Sequence, residues 1–136
     1  MRPAPVRGLF EEPLWAYVRQ GELRLQRCRA CGRFMYPPAP VCAACWSEAL
    51  EWVPVGGGGR VVSWTRFHRT YFPELPAPYV VAAVELDEGP IVIADTMPTN
   101  WAPRIGQRVR LVFDAEPDGD GPPLFHWAAA SPGEAD

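Results

Sequence analysis

Four cysteines are the residues of this sequence best suited to chemistry, because they form two C-x-x-C pairs. Cys28 and Cys31 make the first pair, Cys42 and Cys45 make the second, and ten residues separate the pairs. Each C-x-x-C turn directs two sulfur atoms to one point, so two facing turns supply four thiolates for a tetrahedral Zn²⁺ at about 2.3 Å per bond. Four sulfur ligands leave no position for water, so the spacing predicts a structural zinc and not a catalytic one.

Other cysteine chemistries fit this spacing less well. A disulfide framework belongs to small secreted proteins, and we see no signal peptide ahead of the cysteines. A single redox-active C-x-x-C motif leaves the second pair unexplained. An iron centre of the rubredoxin type uses the same four ligands, so the sequence leaves zinc and iron open as alternatives.

The residues around each pair shape its turn and its charge. Gly32 follows the first pair, where a metal-binding turn usually needs the left-handed backbone that glycine adopts easily. Trp46 follows the second pair, so we expect that turn to close differently. Arg27, Arg29 and Arg33 surround the first pair and are expected to offset the charge of about −2 on a zinc tetrathiolate. Anion binding at this place is the weaker alternative.

Short strands are predicted on both sides of the cysteine turns. Residues 22–27 alternate polar and apolar side chains, residues 34–36 lie between the pairs, and residues 50–53 leave the second turn. Three short strands held by one metal make a zinc ribbon of the rubredoxin-like kind. Such a unit, below about 40 residues, commonly needs its metal in place of a core.

An apolar helical face is predicted before the ribbon. Phe10, Leu14 and Val18 recur at a spacing of four residues, with Trp15 beside them, and Gly21 can end the helix. A helix of about ten residues is too short to be stable alone. We expect its face to pack on the ribbon or barrel of its own chain, and packing of these residues on a partner protein is the alternative.

Five extended segments follow the ribbon, with a longer connection between the third and the fourth. They are residues 60–70, 79–86, 90–94, 108–113 and 124–130. This pattern fits a small five-stranded barrel of the OB type. The four glycines before the first segment are expected to form a turn or β-bulge and not a phosphate cradle, because a strand follows them where a phosphate site needs a helix.

The predicted protein is therefore mainly β. It has a short N-terminal helical segment, a four-cysteine rubredoxin-like zinc ribbon and a five-stranded OB-fold barrel. The predicted units are an arm with the helix at 1–25, the ribbon at 26–54, the barrel at 55–130 and a tail at 131–136.

Composition and charge exclude several functions. All thirteen basic residues are arginine, and the absence of lysine excludes Schiff-base chemistry. The net charge of −3 argues against general nucleic-acid affinity, which depends on neutralising phosphates. No apolar run reaches the roughly 20 residues of a membrane span, so we expect a soluble, cytoplasmic protein. A nucleophile elbow, a spare thiol and a carboxylate pair beside a histidine are all missing from the sequence, so we predict no catalytic residue.

An arginine–aromatic cluster at the end of the first barrel strand is the candidate surface for a ligand or a partner. Arginine stacks on adenine and binds phosphates through two parallel hydrogen bonds, and aromatic side chains dominate binding hot spots. A solvated loop is the alternative, and a catalytic histidine is the weakest interpretation. The candidates are Trp64, Arg66, His68, Arg69, Tyr71 and Phe72.

Several stretches carry a resemblance to a known family. They are GELRLQRC at 21–28, CG at 31–32, PP at 37–38, EW at 51–52, GRVVSWT at 59–65 with His68, and PYVVAAVEL at 78–86. In this order they resemble the acyl-CoA-associated OB-fold/zinc-ribbon family, domain of unknown function thirty-five, over residues from about 9 to 127. The chain departs from the family at Ala43 and Trp46, where members often have Pro and Gly-Ser.

The resemblance implies an accessory role. Members look like subunits or domains of thiolase-superfamily enzymes, including lipid-transfer-type aldolases of sterol side chains, and some accompany hydratases of the hot-dog fold. A non-catalytic subunit is implied that binds a thiolase-like enzyme and helps to position or hand over an acyl-CoA, with the reactive groups on the partner. Two alternatives stay open: an OB barrel that binds single-stranded nucleic acid through stacked aromatics, and a scaffold that only bridges a hydratase and a thiolase-like enzyme.

Overall fold

One helix and eight strands make up the part of the chain that the computed structural model describes, namely residues 10–73, 75–114 and 125–130. The elements are α1 Glu12–Arg19, β1 Leu23–Cys28, β2 Phe34–Met35, β3 Leu50–Val55, β4 Gly58–Phe67, β5 Tyr79–Leu86, β6 Ile91–Asp95, β7 Arg108–Phe113 and β8 Phe125–Ala129. The predicted mainly β fold is confirmed. The predicted tail at 131–136 and residues 1–9 of the predicted arm lie outside the described residues.

Helix α1 packs on its own chain. Leu14, Trp15 and Val18 are 2%, 8% and 1% exposed, and the Trp15 ring stacks on Phe125 of β8 with 5.9 Å between ring centroids. The alternative that these three side chains pack on a partner protein is therefore rejected, because the core of this chain already covers them. Only Phe10, which precedes the helix and is 44% exposed, stays available to a partner.

The ribbon is a three-stranded antiparallel sheet in the order β2-β1-β3. Leu23 and Leu25 of β1 are buried, as the predicted alternation requires. The buried Gln26 side chain bonds the backbone of Ala39 twice, donating to its carbonyl at 3.0 Å and accepting from its N–H at 2.8 Å. These two bonds hold the segment between the cysteine pairs against β1.

The second sheet has the antiparallel order β6-β5-β4-β7-β8 and closes on itself. Thr96, just after β6, forms a parallel bridge with Trp127 of β8, and the Met97 N–H donates to the Trp127 carbonyl at 2.9 Å. Strand order and parallel closure together give the predicted OB-like barrel. Trp127, which is 0% exposed, belongs to the buried core.

The helix, the ribbon and the barrel share one hydrophobic core. Leu14 of α1, Leu25 of β1, and Val61 and Val84 of the barrel belong to one cluster of buried side chains. The predicted division of the chain into separate units stays a prediction. Within the described residues, no helix combines the length and the hydropathy needed to cross a membrane.

Candidate functional site

The two cysteine turns have the same backbone geometry. In the first, the Gly32 N–H donates to the Cys28 carbonyl at 2.8 Å, and in the second the Trp46 N–H donates to the Cys42 carbonyl at 2.9 Å. Gly32 has φ 80° and Trp46 has φ 68°. Our expectation that the second turn closes differently is wrong, because the tryptophan itself adopts the left-handed conformation.

The four sulfur atoms converge on one point. Cys28 Sγ lies 3.5 Å from Cys45 Sγ, Cys31 Sγ lies 3.6 Å from Cys42 Sγ, and all four lie within 4.8 Å of one another. A tetrahedron with bonds of about 2.3 Å has edges of roughly 3.8 Å, so the sulfurs fit the ligand shell of one tetrahedral ion. A disulfide would need an S–S distance of about 2.05 Å, so the geometry disfavours the disulfide alternative.

Backbone N–H groups prepare two of the four sulfurs to carry charge. The N–H groups of Cys45 and Ala44 lower the pKa of Cys42 to about 6, and the N–H of Cys31 is the main cause of the lowered pKa of Cys28. The N–H of Ser47 lowers the pKa of Cys45, but the contacts with the other three cysteine sulfurs and burial together raise it to about 12. Four thiolates this close together would repel one another, and a dication bound between them would offset that repulsion. The four cysteines therefore suit a metal ion.

Arginine and apolar side chains complete the surroundings of the sulfurs. Arg27 Nε donates to the Gly32 carbonyl at 3.2 Å and so braces the first turn. Arg29 forms an exposed ion pair with Glu51 at 3.4 Å. Met35 packs on Cys28 and Cys42 inside a small cluster of its own. Sequence reasoning missed this packing, although Met35 lies within the predicted second strand.

The arginine–aromatic candidates form two pairs near the end of β4. The Arg66 guanidinium lies 5.4 Å from the centroid of the Trp64 ring, and Arg66 Nε donates to Asn100 Oδ1 at 2.9 Å. The Arg69 guanidinium lies 5.6 Å from the centroid of the Tyr71 ring. Distances of this size are typical of cation–π contacts.

The loop after β4 is the exposed part of this cluster. Phe67 stacks on Tyr79 with 4.8 Å between centroids and meets Tyr71 edge-on at 6.2 Å. Tyr71 and Phe72 are 59% and 50% exposed, and His68 is also exposed. The structure therefore divides the candidates between two places. Trp64 and Arg66 lie on β4, whereas the other four lie on the exposed loop after it, here called the rim: His68, Arg69, Tyr71 and Phe72.

A groove of about 830 Å³ separates the ribbon from the turn between β5 and β6. Its ribbon wall consists of residues 32–39 and 42–44, and its barrel wall consists of residues 88–90. The wall includes the metal-site residue Cys42 and the exposed Arg33. Sequence reasoning missed the groove, since its two walls are about fifty residues apart in the chain and no local pattern indicates that they meet.

Comparison with known proteins identifies the family. Residues 15–51 match the rubredoxin-like zinc ribbon domain of ChsH2, and residues 52–114 match the C-terminal OB-fold domain of ChsH2. A DUF35 domain-containing scaffold protein of Methanocaldococcus jannaschii is 33% identical over 113 residues, which are 78% of this chain and 79% of that protein. The chain belongs to the DUF35 family. The resemblance stated from sequence motifs is thereby confirmed.

Relatives of this DUF35 protein include subunits of acyl-CoA enzymes. The 3-oxo-4,17-pregnadiene-20-carboxyl-CoA hydratase alpha subunit of Mycobacterium tuberculosis is 33% identical over 93% of this chain and 39% of that subunit. The benzoylsuccinyl-CoA thiolase subunit BbsA of Thauera aromatica is 28% identical over 88% of this chain and 81% of that subunit. The chain spans only 28%, 39% and 47% of the first three curated relatives that it matches.

The fold also matches a solved complex. A chain of the Ltp2-ChsH2(DUF35) aldolase superposes with a TM-score of 0.80 and 31% identity, over 93% of this chain and 99% of that chain. The similarity therefore extends over the helix, the ribbon and the barrel.

Proposed function

We propose that this DUF35 protein is a non-catalytic accessory subunit that binds a thiolase-superfamily enzyme and helps to position or hand over its acyl-CoA. The observation that carries the proposal is the whole-chain similarity to the DUF35 chain of the Ltp2-ChsH2(DUF35) aldolase. The relationship to thiolase subunit BbsA points to the same class of partner. The hydratase alpha subunit among its relatives extends the possible partners to a hydratase and the substrates to steroid acyl-CoAs.

The chemistry of the described residues supports a role without catalysis. All four thiols of the chain are gathered in one cluster, where a metal would occupy them. The His126 ring is 7% exposed, and its Nδ1 lies 2.6 Å from Asp114 Oδ1, so it is removed from any substrate at the surface. The reactive groups would therefore belong to the partner enzyme. A cytoplasmic location stays a prediction.

We propose Zn²⁺ as the ion of the cysteine site, held by Cys28, Cys31, Cys42 and Cys45. The ion would supply structural cross-linking, because four thiolates leave no site for substrate or water. Elemental analysis of the protein purified without added metal tests this assignment. One zinc per chain supports it, whereas one iron per chain with a thiolate-to-iron absorption band identifies the rubredoxin-type alternative.

The exposed rim after β4 is the proposed contact for the acyl-CoA or the partner. Arg69 and Tyr71 present a cation stacked on a ring, which suits the adenine and phosphates of a coenzyme A group. The nucleic-acid alternative is less well supported, because two of the arginines that it needs are bonded within the barrel. Arg60 donates a hydrogen bond to the Gly106 carbonyl, and Arg66 donates one to Asn100 Oδ1.

Co-purification of the tagged protein from its source, with mass spectrometry of what stays bound, tests the proposed function. Stoichiometric recovery of a thiolase-superfamily enzyme supports it, and recovery of the protein alone or with nucleic acid contradicts it. In the recovered complex, Tyr71→Ala should weaken binding of the acyl-CoA or the enzyme, while Arg110→Ala, an exposed change on β7, should not. If both variants behave as the unchanged protein, the rim is not the contact surface.

A further inference from the structure

Among the residues that the structure describes, β6 pairs along its length with β5 alone. Its hydrogen bonds to β5 run through alternate residues, as the Leu86 N–H to Pro90 carbonyl and Thr96 N–H to Val80 carbonyl bonds show, at 2.9 and 3.0 Å. In an antiparallel ladder the residues between these pairs direct their N–H and C=O groups away from the neighbouring strand. Ile91, Ile93 and Asp95 are those residues in β6, and the two isoleucines lie away from the barrel closure.

The closure of the barrel covers only the end of this edge. Strand β8 contacts β6 and bonds the chain just beyond it, at Thr96 and Met97. Among the described residues, no strand pairs with the outer side of Ile91 or Ile93. The edge is therefore open over the first three residues of β6.

The side chains on this edge are apolar and exposed. Ile91 and Ile93 are 48% and 63% exposed, and both rank among the large exposed hydrophobic residues of the described chain. Ala83 of β5 lies opposite Ile93 and extends the apolar surface. Proteins usually protect an open edge with charges, proline or a bulge, because an unprotected apolar edge pairs with another chain. Pro90 precedes Ile91 and the exposed Glu85 lies opposite it, so the least protected position of this edge is Ile93, which faces Ala83.

The groove beside the ribbon continues from the same edge. Its barrel wall is Glu88, Gly89 and Pro90, the three residues that directly precede Ile91. Its ribbon wall is largely apolar and carries the exposed Arg33. A polypeptide that pairs with β6 and runs past Pro90 would therefore enter the groove within a few residues.

We propose that β6 binds an extended segment of the partner enzyme as an additional strand, and that this segment continues into the groove beside the ribbon. The inference rests on the proposed function for the identity of the partner. The open N–H and C=O groups of Ile91 and Ile93 specify an extended backbone, as in other cases of β-strand addition. The isoleucines favour apolar side chains on the added strand, and Arg33 favours an acidic residue in the groove.

A second copy of this chain fits the surface less well. Pairing of β6 with β6 of another copy would use only five residues of each, whereas a stable interface takes about 20–30 residues per partner. In the second copy the chain after Asp95 is tied to Trp127 by the Met97 N–H, so it is not free to follow the groove. A linear segment of another protein can occupy both the edge and the groove.

Hydrogen exchange of the full chain, alone and in the reconstituted complex with the enzyme recovered above, tests the inference. In the isolated chain the amides of Ile91 and Ile93 should exchange rapidly while those of Val92 and Ala94 are protected. In the complex, all four should be protected. This alternation distinguishes an added strand from a contact made through side chains alone.

Three variants separate the backbone contribution from the side-chain contribution. Ile93→Pro removes the outward N–H together with the isoleucine side chain, whereas Ile93→Lys removes the apolar contact and keeps the N–H. Each should weaken the complex about tenfold or more, as expected for a central contact, and a larger loss in Ile93→Pro gives the contribution of the N–H. Ile105→Lys is the matched control, because Ile105 is also 63% exposed but lies outside β6. Unchanged exchange at Val92 and Ala94 verifies that each Ile93 variant keeps the β5–β6 pairing.

Each other outcome has a defined meaning. If the enzyme binds but leaves Ile91 and Ile93 unprotected, and Ile93→Pro binds normally, strand addition is overturned while the proposed function stands. If the two amides are protected in the isolated monomer, another segment of the same chain covers the edge. If their protection depends on protein concentration and is lost in Ile93→Pro, a second copy of the chain pairs with the edge. Either result overturns the inference.

Failure to recover a thiolase-superfamily enzyme rejects the proposed function but still leaves strand addition testable. The probe is then a synthetic peptide of about ten residues that alternates valine and threonine and ends in glutamate. Chemical-shift changes at Ile91 and Ile93 that disappear when alternate peptide amides are N-methylated support strand addition. Unchanged shifts at millimolar peptide overturn it.

Discussion

Trp46 combines an unfavourable backbone conformation with a side chain that packs on very little. Its φ is 68° and its side chain leaves the residue 81% exposed. Only glycine adopts the left-handed region without steric cost, and large residues rarely adopt it. The turn geometry nevertheless matches that of Gly32, because the four sulfurs can converge only if both turns close alike.

Replacement of this tryptophan should therefore stabilise the ribbon. Trp46→Gly relieves a conformational cost of roughly 1–2 kcal/mol and adds an entropic cost of about 0.5–1 kcal/mol, so we expect a net gain of about 0.5 kcal/mol. Urea unfolding of the metal-loaded protein measures it. Trp46→Ala keeps the Cβ and should show no gain. A loss of stability in both variants would mean that the indole ring packs on the ribbon.

Gly59 is required by close packing between β4 and β5. A Cβ at this position would lie 2.4 Å from the Glu85 carbonyl oxygen and 2.7 Å from Val84 Cγ1. Of the four glycines that the sequence placed at a turn or bulge, this one is therefore fixed by a neighbouring strand and not by a turn.

Gly59→Ala should destabilise the barrel by about 1–3 kcal/mol, as overpacking in a core does. Gly56→Ala is the matched control, because a Cβ there meets nothing within 4 Å, and its effect should stay within about 0.5 kcal/mol. Thermal unfolding of the two variants compares them. Equal stability of both would show that β4 and β5 can separate at Gly59 without cost.

At the scale of elements, helix α1 joins the two sheets. It contacts β1 of the ribbon, and Trp15 stacks on Phe125 of the barrel. A helix of eight residues is not stable alone. Its stability therefore comes from the core that it completes.

Leu14→Ala should accordingly cost about 2–5 kcal/mol, the range for a large side chain removed from a core. Phe10→Ala, at an exposed position beside the helix, should cost less than about 1 kcal/mol. Guanidinium unfolding followed by tryptophan fluorescence measures both. Similar small effects of the two changes would mean that the helix is only loosely attached and is free to bind elsewhere.

At the scale of the whole molecule, the metal site and the barrel are coupled through the shared core. Cys28 ends β1, and Leu23 and Leu25 of the same strand belong to the cluster that includes barrel valines. Loss of the ion should therefore loosen β1 and expose part of the barrel core. Structural zinc contributes folding free energy directly.

Removal of the metal with a chelator should lower Tm by about 10 °C or more. Circular dichroism and calorimetry of the stripped protein measure the change, and re-addition of zinc should reverse it. Cys31→Ser should have a low Tm that the chelator lowers no further. An unchanged Tm after verified metal loss would show that the barrel is stable without the ribbon.

Local sequence patterns were enough to predict the four cysteine ligands and several of the strands. The C-x-x-C spacing predicted the four ligands because each pair is a single turn, and the alternation along β1 and β7 predicted strands because side chains on a strand alternate by geometry. Strands β5 and β7 were predicted at the bounds that the structure shows. The family resemblance was also carried by such short stretches.

The tertiary structure alone decided what depends on distant residues meeting. The closure of the Trp46 turn follows from the convergence of the sulfurs, and the burial of Leu14, Trp15 and Val18 follows from the junction of ribbon and barrel. The open edge at Ile91 and Ile93 follows from where β8 closes the barrel. Hydrophobic periodicity shows that a segment is a strand. Whether one backbone edge of that strand has no neighbour depends on where every other strand of the sheet lies.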